Sequence, residues 1–441
     1  MINVNDFHGK TDSEVIELAM QNLTGDGILV IPPRESDIEP ERKHWLIDRA
    51  ILIPENTTVI LQNCMIKLSD RCRDNFFRSA NCGIGIDDPQ RIKNIHIRGE
   101  GFCTLQGADY PRATGDSSKL LARPCPYYKE DMVKYGYWIP EEKRAAGELG
   151  FWDMHDHSYG TDIGKEGQHQ KGDWRNIGIL FANVEHFSIE NIRLEDYHAW
   201  GITIENCAYG SIRKIDFNAC MSKEIDGLRQ NMENQDGVHV RKGSHHILIT
   251  DITGRTGDDV IAITSWDTPG CEFTPGCEIG SFQALPCHWD KQNYDVHDII
   301  IRNVIAYSQL CWVIRLLASN NKLWNIVIDG VIDAAVEDAP HRQYSGTILV
   351  GREDYPGAVH AKDSMRNITI SNVVCNARKG IEVHGYLKDS VITNVCNRHP
   401  EGSVIAVFRE NGLDNVATGC LCASGENPVF EYKNIPESPA V

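Results

Sequence analysis

The polar–apolar pattern of this chain is neither helical nor plainly alternating. Short runs of the form apolar-x-apolar-x-x-apolar recur, with Asn, Asp or Gly at the bend: Ile95-His96-Ile97-Arg98-Gly99, Phe187-Ser188-Ile189-Glu190-Asn191-Ile192, Ile247-Leu248-Ile249-Thr250-Asp251-Ile252, Ile326-Val327-Ile328-Asp329-Gly330-Val331 and Ile368-Thr369-Ile370-Ser371-Asn372-Val373. Two apolar positions two apart share one face of a strand, and the doubled polar step turns the chain. Ile189 to Ile212 is 23 residues, Ile301 to Ile328 is 27 and Ile370 to Thr393 is 23, while Ile212 to Ile247 is 35 and Ile249 to Ile301 is 52. A unit of about 23 residues with insertions is the signature of stacked coils, each a few short strands. A β-sandwich would show hairpin turns and alternation along each strand instead. The pattern predicts an all-β chain, a single right-handed parallel β-helix domain over 1–441.

Two regions break the rhythm. Residues 107–175 are polar and aromatic, and 266–296 hold three Cys. Insertions in a solenoid fall in loops beside the binding face, so both are expected to wall a cleft. Residues 12–24 form the one good amphipathic helix, with Val15, Ile16, Leu18, Ala19 and Leu23 on its apolar side. It suits an N-terminal cap over the first coil.

Composition narrows the function. Ile accounts for 47 of 441 residues, which favours pleated, half-buried surface. The net charge of −18 opposes nucleic-acid binding, since phosphate contacts need a basic patch. No apolar run approaches the ~20 residues of a membrane helix, so no membrane partner is expected. The start Met1-Ile2-Asn3-Val4 has no leader pattern, and the 15 Cys lack disulfide-scaffold spacing. Reduced thiols in a cytoplasmic protein are expected.

The chemistry gathers in Asn234-Gln235-Asp236-Gly237-Val238-His239-Val240 and Gly257-Asp258-Asp259-Val260-Ile261-Ala262-Ile263. With Val238 over Ile261 the offset is one coil of 23, and Asp236 stacks on Asp259 at about 4.8 Å. Asp258 is then set over Gln235. Carboxylates this close raise one another's pKa, as general acid–base work near neutral pH requires. The residues alone leave three readings open: turn formers beside Gly237 and Gly257, a calcium site, or catalysis.

Asn-x-Asp-Gly followed one coil later by Gly-Asp-Asp-x-Ile-Ala-Ile resembles the polygalacturonase group, glycoside hydrolase family 28. The opening Val4-Asn5-Asp6-Phe7, Gly9-Lys10-Thr11-Asp12 and Gly25-Asp26-Gly27-Ile28-Leu29-Val30-Ile31 is also similar to pectin-active β-helices. The resemblance covers about 1–105 and 174–395. It implies that Asp258 is the general acid and that Asp236 and Asp259 hold and deprotonate the attacking water, with inversion. It implies no metal and no cofactor. The family's Gly-His-Gly turn has no counterpart in Gln309-Leu310-Cys311-Trp312-Val313-Ile314-Arg315, and its Arg-Ile-Lys has no clear match. Arg315, Arg241, Lys242 or Arg255 would have to meet an acidic sugar.

Around the carboxylates, His239 is expected to point outward as a substrate or support residue, or to be an ordinary strand residue. Gln235 is a candidate hydrogen-bond partner of Asp258, or part of a turn. Trp312 is either a sugar-stacking platform or core, and His198 a groove contact or a strand residue. Asp153, His155, Asp156 and His157 fit a polar loop better than a metal site, and Cys271, Cys277, Cys287 and His288 are spaced too widely for a closed zinc site. The expectation is a glycosidase, exo-acting on pectin-type oligosaccharides, compatible with a homo-oligomer. Two rivals use the same scaffold: a uronate lyase or epimerase, and a non-catalytic carbohydrate-binding solenoid.

Overall fold

A computed structural model describes residues 1–109 except 71, 73, 84, 85, 87 and 88; 176–265 except 226, 227 and 233; residue 285; and 294–318, 321–352 and 361–433. The expected insertions 107–175 and 266–296, with Asp153, His155, Asp156, His157, Cys271, Cys277, Cys287 and His288, lie outside the described residues but for their edges and residue 285. The fold is the parallel β-helix that the repeats predict, with very few helices among the described residues. Contacts divide it into two compact units: Met1–Thr203 with Asn218–Gln235 and Cys271–Asp290, and Ile204–Phe217 with Asp236–Gly270 and Lys291–Val441.

In the first unit, Gly27–Ile31, Thr57–Gln62, Ile92–Glu100 and Val184–Glu195 stack in parallel, and Ile51–Ile53, Phe77–Ser79 and Ile179–Ala182 form a second parallel sheet. The helix Asp12–Gln21 packs on the first strands. Thr11 caps it, its side chain accepting from the Glu14 N–H at 3.2 Å. The helix ends three residues earlier than the periodicity suggests. Val15, Ile16 and Ala19 are buried, whereas Leu18 faces solvent. Asp12 is buried and accepts from Arg34 Nε at 2.9 Å and from the Leu46 N–H at 2.8 Å, tying the helix to the first coil.

The second unit shows why the motif repeats. His245–Thr256, Val296–Ser308, Leu323–Asp333, Met365–Cys375, Leu387–Asn397 and Leu413–Ala423 form one parallel sheet of long strands. Ile249, Ile301, Ile328, Ile370 and Ile392 stand directly above one another, all at 0% exposure. Each contributes about 1.5–3 kcal/mol by burial, as an upper estimate. The partner of Ile370 is thus Ile392, not Thr393; Thr393 pairs with Ser371. A one-residue slip would have turned every side chain of that strand to the other face.

Two residues after each inward Ile comes the bend. Asp251, Asn303, Gly330, Asn372 and Asn394 all have φ between 53° and 75°. Gly, Asn and Asp visit that left-handed region at the least cost, which accounts for the polar residue in the motif. A second column of bends three residues before the Ile comprises His246, Asp298, Asn325, Asn367 and Asp389, with φ from 47° to 56°. The bends bond to each other: Asn303 Nδ2 donates to Asp251 Oδ1 at 3.1 Å, and Asn325 Nδ2 to Asp298 Oδ1 at 2.9 Å.

The other sheet of this unit has short strands: Val238–Arg241, Ile261–Thr264, Ile314–Leu317, Gly346–Val350, Lys379–Val383, Ser403–Val407 and Phe430–Tyr432. Val238, Ile261, Ile314, Ile348, Ile381 and Ile405 form its inner column. The outward residues His239, Ala262, Arg315, Arg241 and Thr264 are buried as well. On the long-strand sheet, by contrast, Leu248, Ile305 and Ile332 reach solvent.

Candidate active site

The short-strand sheet positions the carboxylates. The register Val238 to Ile261 and Val240 to Ile263 is the offset of 23 read from the sequence. It continues upstream, where the Gly237 N–H donates to the Asp259 carbonyl at 2.8 Å, so Asp236 sits one coil from Asp259. Gly237 is required by packing: a Cβ there would lie 2.4 Å from the Val260 carbonyl oxygen and 2.9 Å from the Phe217 ring. None of the three aspartates occupies a left-handed bend, unlike Asp251.

Asp236 and Asp259 are 1% and 0% exposed, and Asp258 is half-buried. Asp259 Oδ1 accepts from the Trp312 N–H at 3.1 Å, and its Oδ2 lies 2.7 Å from Arg315 Nε. That contact is an ion pair whose N–H does not align as a hydrogen bond. Asp258 Oδ1 accepts from the Asp259 N–H at 2.9 Å. Asp236 Oδ2 is buried without a hydrogen bond, 3.6 Å from His239 Nδ1. His239 Nε2 in turn meets Thr264 Oγ1 at 3.0 Å.

These surroundings set the protons. Burial raises the Asp236 pKa well above the carboxylate range, and the charges of Asp258 and Asp259 raise it further. Burial also pushes Asp259 up to about 7, although Arg315 opposes the rise. His239 is driven well below its usual value by burial, with Arg241 and Arg315 adding to the effect. Burial thus favours the neutral forms of His239 and Asp236, while the Arg315 cation opposes the same effect at Asp259.

Asp236, His239, Asp258, Asp259, Trp312 and Arg315 come together in the second unit. His198 and Gln235 belong to the first, and both are committed there. His198 is buried, its Nε2 accepting from the Ala108 N–H at 3.2 Å. The expectation that Gln235 bonds Asp258 is corrected: its Nε2 donates to the Tyr197 carbonyl at 2.6 Å and its Oε1 accepts from the Met221 N–H at 3.2 Å. An amide so used braces the backbone. Trp312 as a sugar platform is corrected too. Its ring is 6% exposed, its Nε1 donates to Glu382 Oε1 at 3.0 Å, and the Arg352 guanidinium lies 5.2 Å from the ring centre. A face so covered offers no surface for a sugar.

The site has two further neighbours without a role in the sequence pattern, Cys311 and Glu382, beside the expected Arg241 and Arg315. The Cys311 thiol is bonded to Asp258; burial raises its pKa well above the usual value and the two aspartates add to that, so it remains a protonated donor. Glu382 is buried and joins Trp312 to His384 Nε2 at 3.0 Å and Lys379 Nζ at 3.4 Å. Arg241 and Arg315 act on both His239 and Asp236, so the site is less purely acidic than its sequence suggests. Asp258, Asp259 and Cys311 could each offer an atom to a metal, all within 4.8 Å. The Arg315 ion pair and the protonated thiol make this a poor cation site.

Residues 160–305, which include all three aspartates, match the model of Glycosyl hydrolases family 28. A curated relative, Polygalacturonase QRT2 of Arabidopsis thaliana, is 32% identical over 87 residues, 20% of this chain and only 18% of that protein's length. Among solved structures, the polygalacturonase from Erwinia carotovora ssp. carotovora superposes with a TM-score of 0.52 over 96% of this chain and 94% of that one, at 11% identity. The family 28 exopolygalacturonase of Yersinia enterocolitica gives 0.53 over 98% and 76%, at 13% identity. PfbA, a surface adhesin of Streptococcus pneumoniae, gives 0.50 over 98% and 92%, at 10% identity. At such identities the likeness is one of fold, and the fold carries adhesin and hydrolase alike. The segment that bears the aspartates is thus similar to family 28 glycosyl hydrolases, set in a chain with the parallel β-helix of solved polygalacturonases.

Proposed function

We propose that this chain is a glycoside hydrolase acting on pectin-type oligosaccharides. The observation that carries the reading is the pair of buried carboxylates one coil apart, Asp236 and Asp259, beside the more accessible Asp258. A structural role gains little from burying an acid whose Oδ2 has no hydrogen bond, as in Asp236. Acid–base catalysis does, because it needs carboxyl groups of unlike protonation at one pH.

Asp258, the solvent-reachable member, donates a proton to the glycosidic oxygen, as the family resemblance implies. Arg315 lies beside Asp259 and favours its charged form, so Asp259 takes the proton of the attacking water. Asp236, whose neutral form burial favours, holds that water. Asp258 and Asp259 oxygens approach within 4.8 Å, closer than the ~6.5–9.5 Å usual for an inverting acid–base pair. Inversion therefore rests on the resemblance, and the anomer first released tests it. Attack at chain ends is part of the same reading. Action in the cytoplasm, and as a homo-oligomer, belongs to the same proposal.

Arg241 and Arg315 favour one alternative, a uronate lyase, since cations there could neutralise a sugar carboxylate. The deciding experiment is incubation with galacturonate and neutral plant oligosaccharides, with mass spectrometry of the products and Asp258→Asn alongside. Products heavier by one water per cleavage, lost in the variant, support the hydrolase. Unsaturated uronates would replace it with the lyase. Products made equally by Asp258→Asn would overturn the assigned acid.

A further inference from the structure

At one edge of the long-strand sheet, within the second unit, four ligand-type side chains converge where most other coils carry Asn or Asp at the bend. His246 occupies the bend column of Asp298, Asn325, Asn367 and Asp389, at φ 55°. His245 pairs with His297 on the next strand, so two coils bring His245-His246 against His297-Asp298. Their polar atoms face each other. His297 Nδ1 is 2.7 Å from Asp298 Oδ2, His246 Nδ1 is 3.7 Å from the same oxygen, and the two Nδ1 atoms of His245 and His246 are 2.8 Å apart.

We propose that His246, His297 and Asp298, with His245 at hand as a fourth ligand, form a binding site for a divalent transition cation of the zinc, cobalt or nickel class. Ligand atoms of His246, His297 and Asp298 all lie within 4.8 Å of one another. Metal–nitrogen and metal–oxygen bonds of about 2.0–2.2 Å at tetrahedral angles place ligand atoms roughly 3.3 Å apart. The observed neighbour separations of 2.7 to 3.7 Å bracket that spacing. Imidazole with a single carboxylate suits these ions over calcium or magnesium, which require oxygen ligands.

The surroundings hold the ligands in place. Asn325 Nδ2 donates to Asp298 Oδ1 at 2.9 Å, leaving Oδ2 toward the imidazoles. The His297 ring is sandwiched, with Trp324 stacked at 4.3 Å on one side and His245 parallel at 5.0 Å on the other. Tyr209 packs against His246 with ring centres 5.0 Å apart. Partners of this kind orient first ligands and govern affinity. A cation here would cross-link two adjacent coils far along the chain from one another, with 51 residues between His246 and Asp298.

The test uses the full chain and Co²⁺ alone as the probe. Wild type should bind one equivalent saturably, with a visible absorption band of nitrogen–oxygen ligation, and its Tm should rise with excess metal. His246→Asn should weaken binding by at least about tenfold and abolish the Tm rise. Asn suits that bend conformation, so this variant should fold, and Asp298→Asn provides a second one. Neither residue is among the candidate active-site groups, so activity on oligosaccharides is expected to persist. Absence of saturable binding would overturn the proposal, as would affinity unchanged in both variants. A thiolate-to-metal band surviving in them would move the site to the cysteines.

Discussion

Asp236→Asn tests the central physical claim without any substrate. The folded-state pKa of Asp236 lies well above its unfolded value of about 3.9, mainly because of burial. A group raised in this way contributes stability that is full below the unfolded pKa and is lost as pH rises toward the folded one. While the folded protein keeps this proton and the unfolded chain has released it, wild type loses about 1.4 kcal/mol per pH unit relative to a variant that cannot ionise. With about 2.1 cal/mol/K per residue of unfolding entropy, a chain of 441 residues changes by roughly 0.9 kcal/mol per degree. Asp236→Asn should therefore gain about 1.5 °C in Tm over wild type for each pH unit above about 5 in which the folded protein keeps the proton. Differential scanning calorimetry of both proteins across pH 4.5 to 8 measures this. A Tm difference independent of pH, or one that shrinks as pH rises, would refute the assignment of a buried Asp236 whose neutral form the fold favours.

Three further outcomes follow from the same geometry. Arg315→Met removes the cation 2.7 Å from Asp259, whose pKa stands at about 7, so the acidic limb of kcat/KM should move upward by about 1–3 pH units. Trp312→Phe deletes the bond to the buried Glu382 and should cost about 1–3 kcal/mol in thermal unfolding with little change in KM; a large rise in KM with unaltered Tm would restore the ring to the substrate. Gly237→Ala drives a Cβ to 2.4 Å from the Val260 carbonyl and should lower Tm sharply, whereas Gly419→Ala, whose nearest such contact is 3.8 Å, should not.

The legible parts of this molecule were those that neighbouring coils repeat. The inward isoleucines and the bends after them write the strand register into the sequence, because a bend favours Asn, Asp or Gly and an inward position favours an apolar branch. The pairing of Asp236 with Asp259 was legible for the same reason: no insertion falls between Val238 and Ile261. The slip at Thr393 shows the limit, since adjacent apolar and β-branched residues at 391–393 leave the alternation ambiguous by one. What surrounds the carboxylates was harder to see. Trp312 is buried by Arg352 and bonded by Glu382, from other coils, and nothing near Trp312 in sequence announces either. The alignment of Gln235 over Asp258 says nothing of the Tyr197 carbonyl that claims its amide.

The bend columns also have a bearing on how such a chain could change over time. Successive inward isoleucines are 52, 27, 42 and 22 residues apart, yet they meet in one straight column. Coil length is thus free while coil height is held, since a parallel strand fixes the rise and the bends fix where each strand starts. Segments may be lengthened, trimmed or exchanged between bends with no shift in the registry of the coils above. A grafting programme aimed at new oligosaccharides could therefore redraw the walls by transplanting inter-bend segments and leave Asp236, Asp258 and Asp259 in their places.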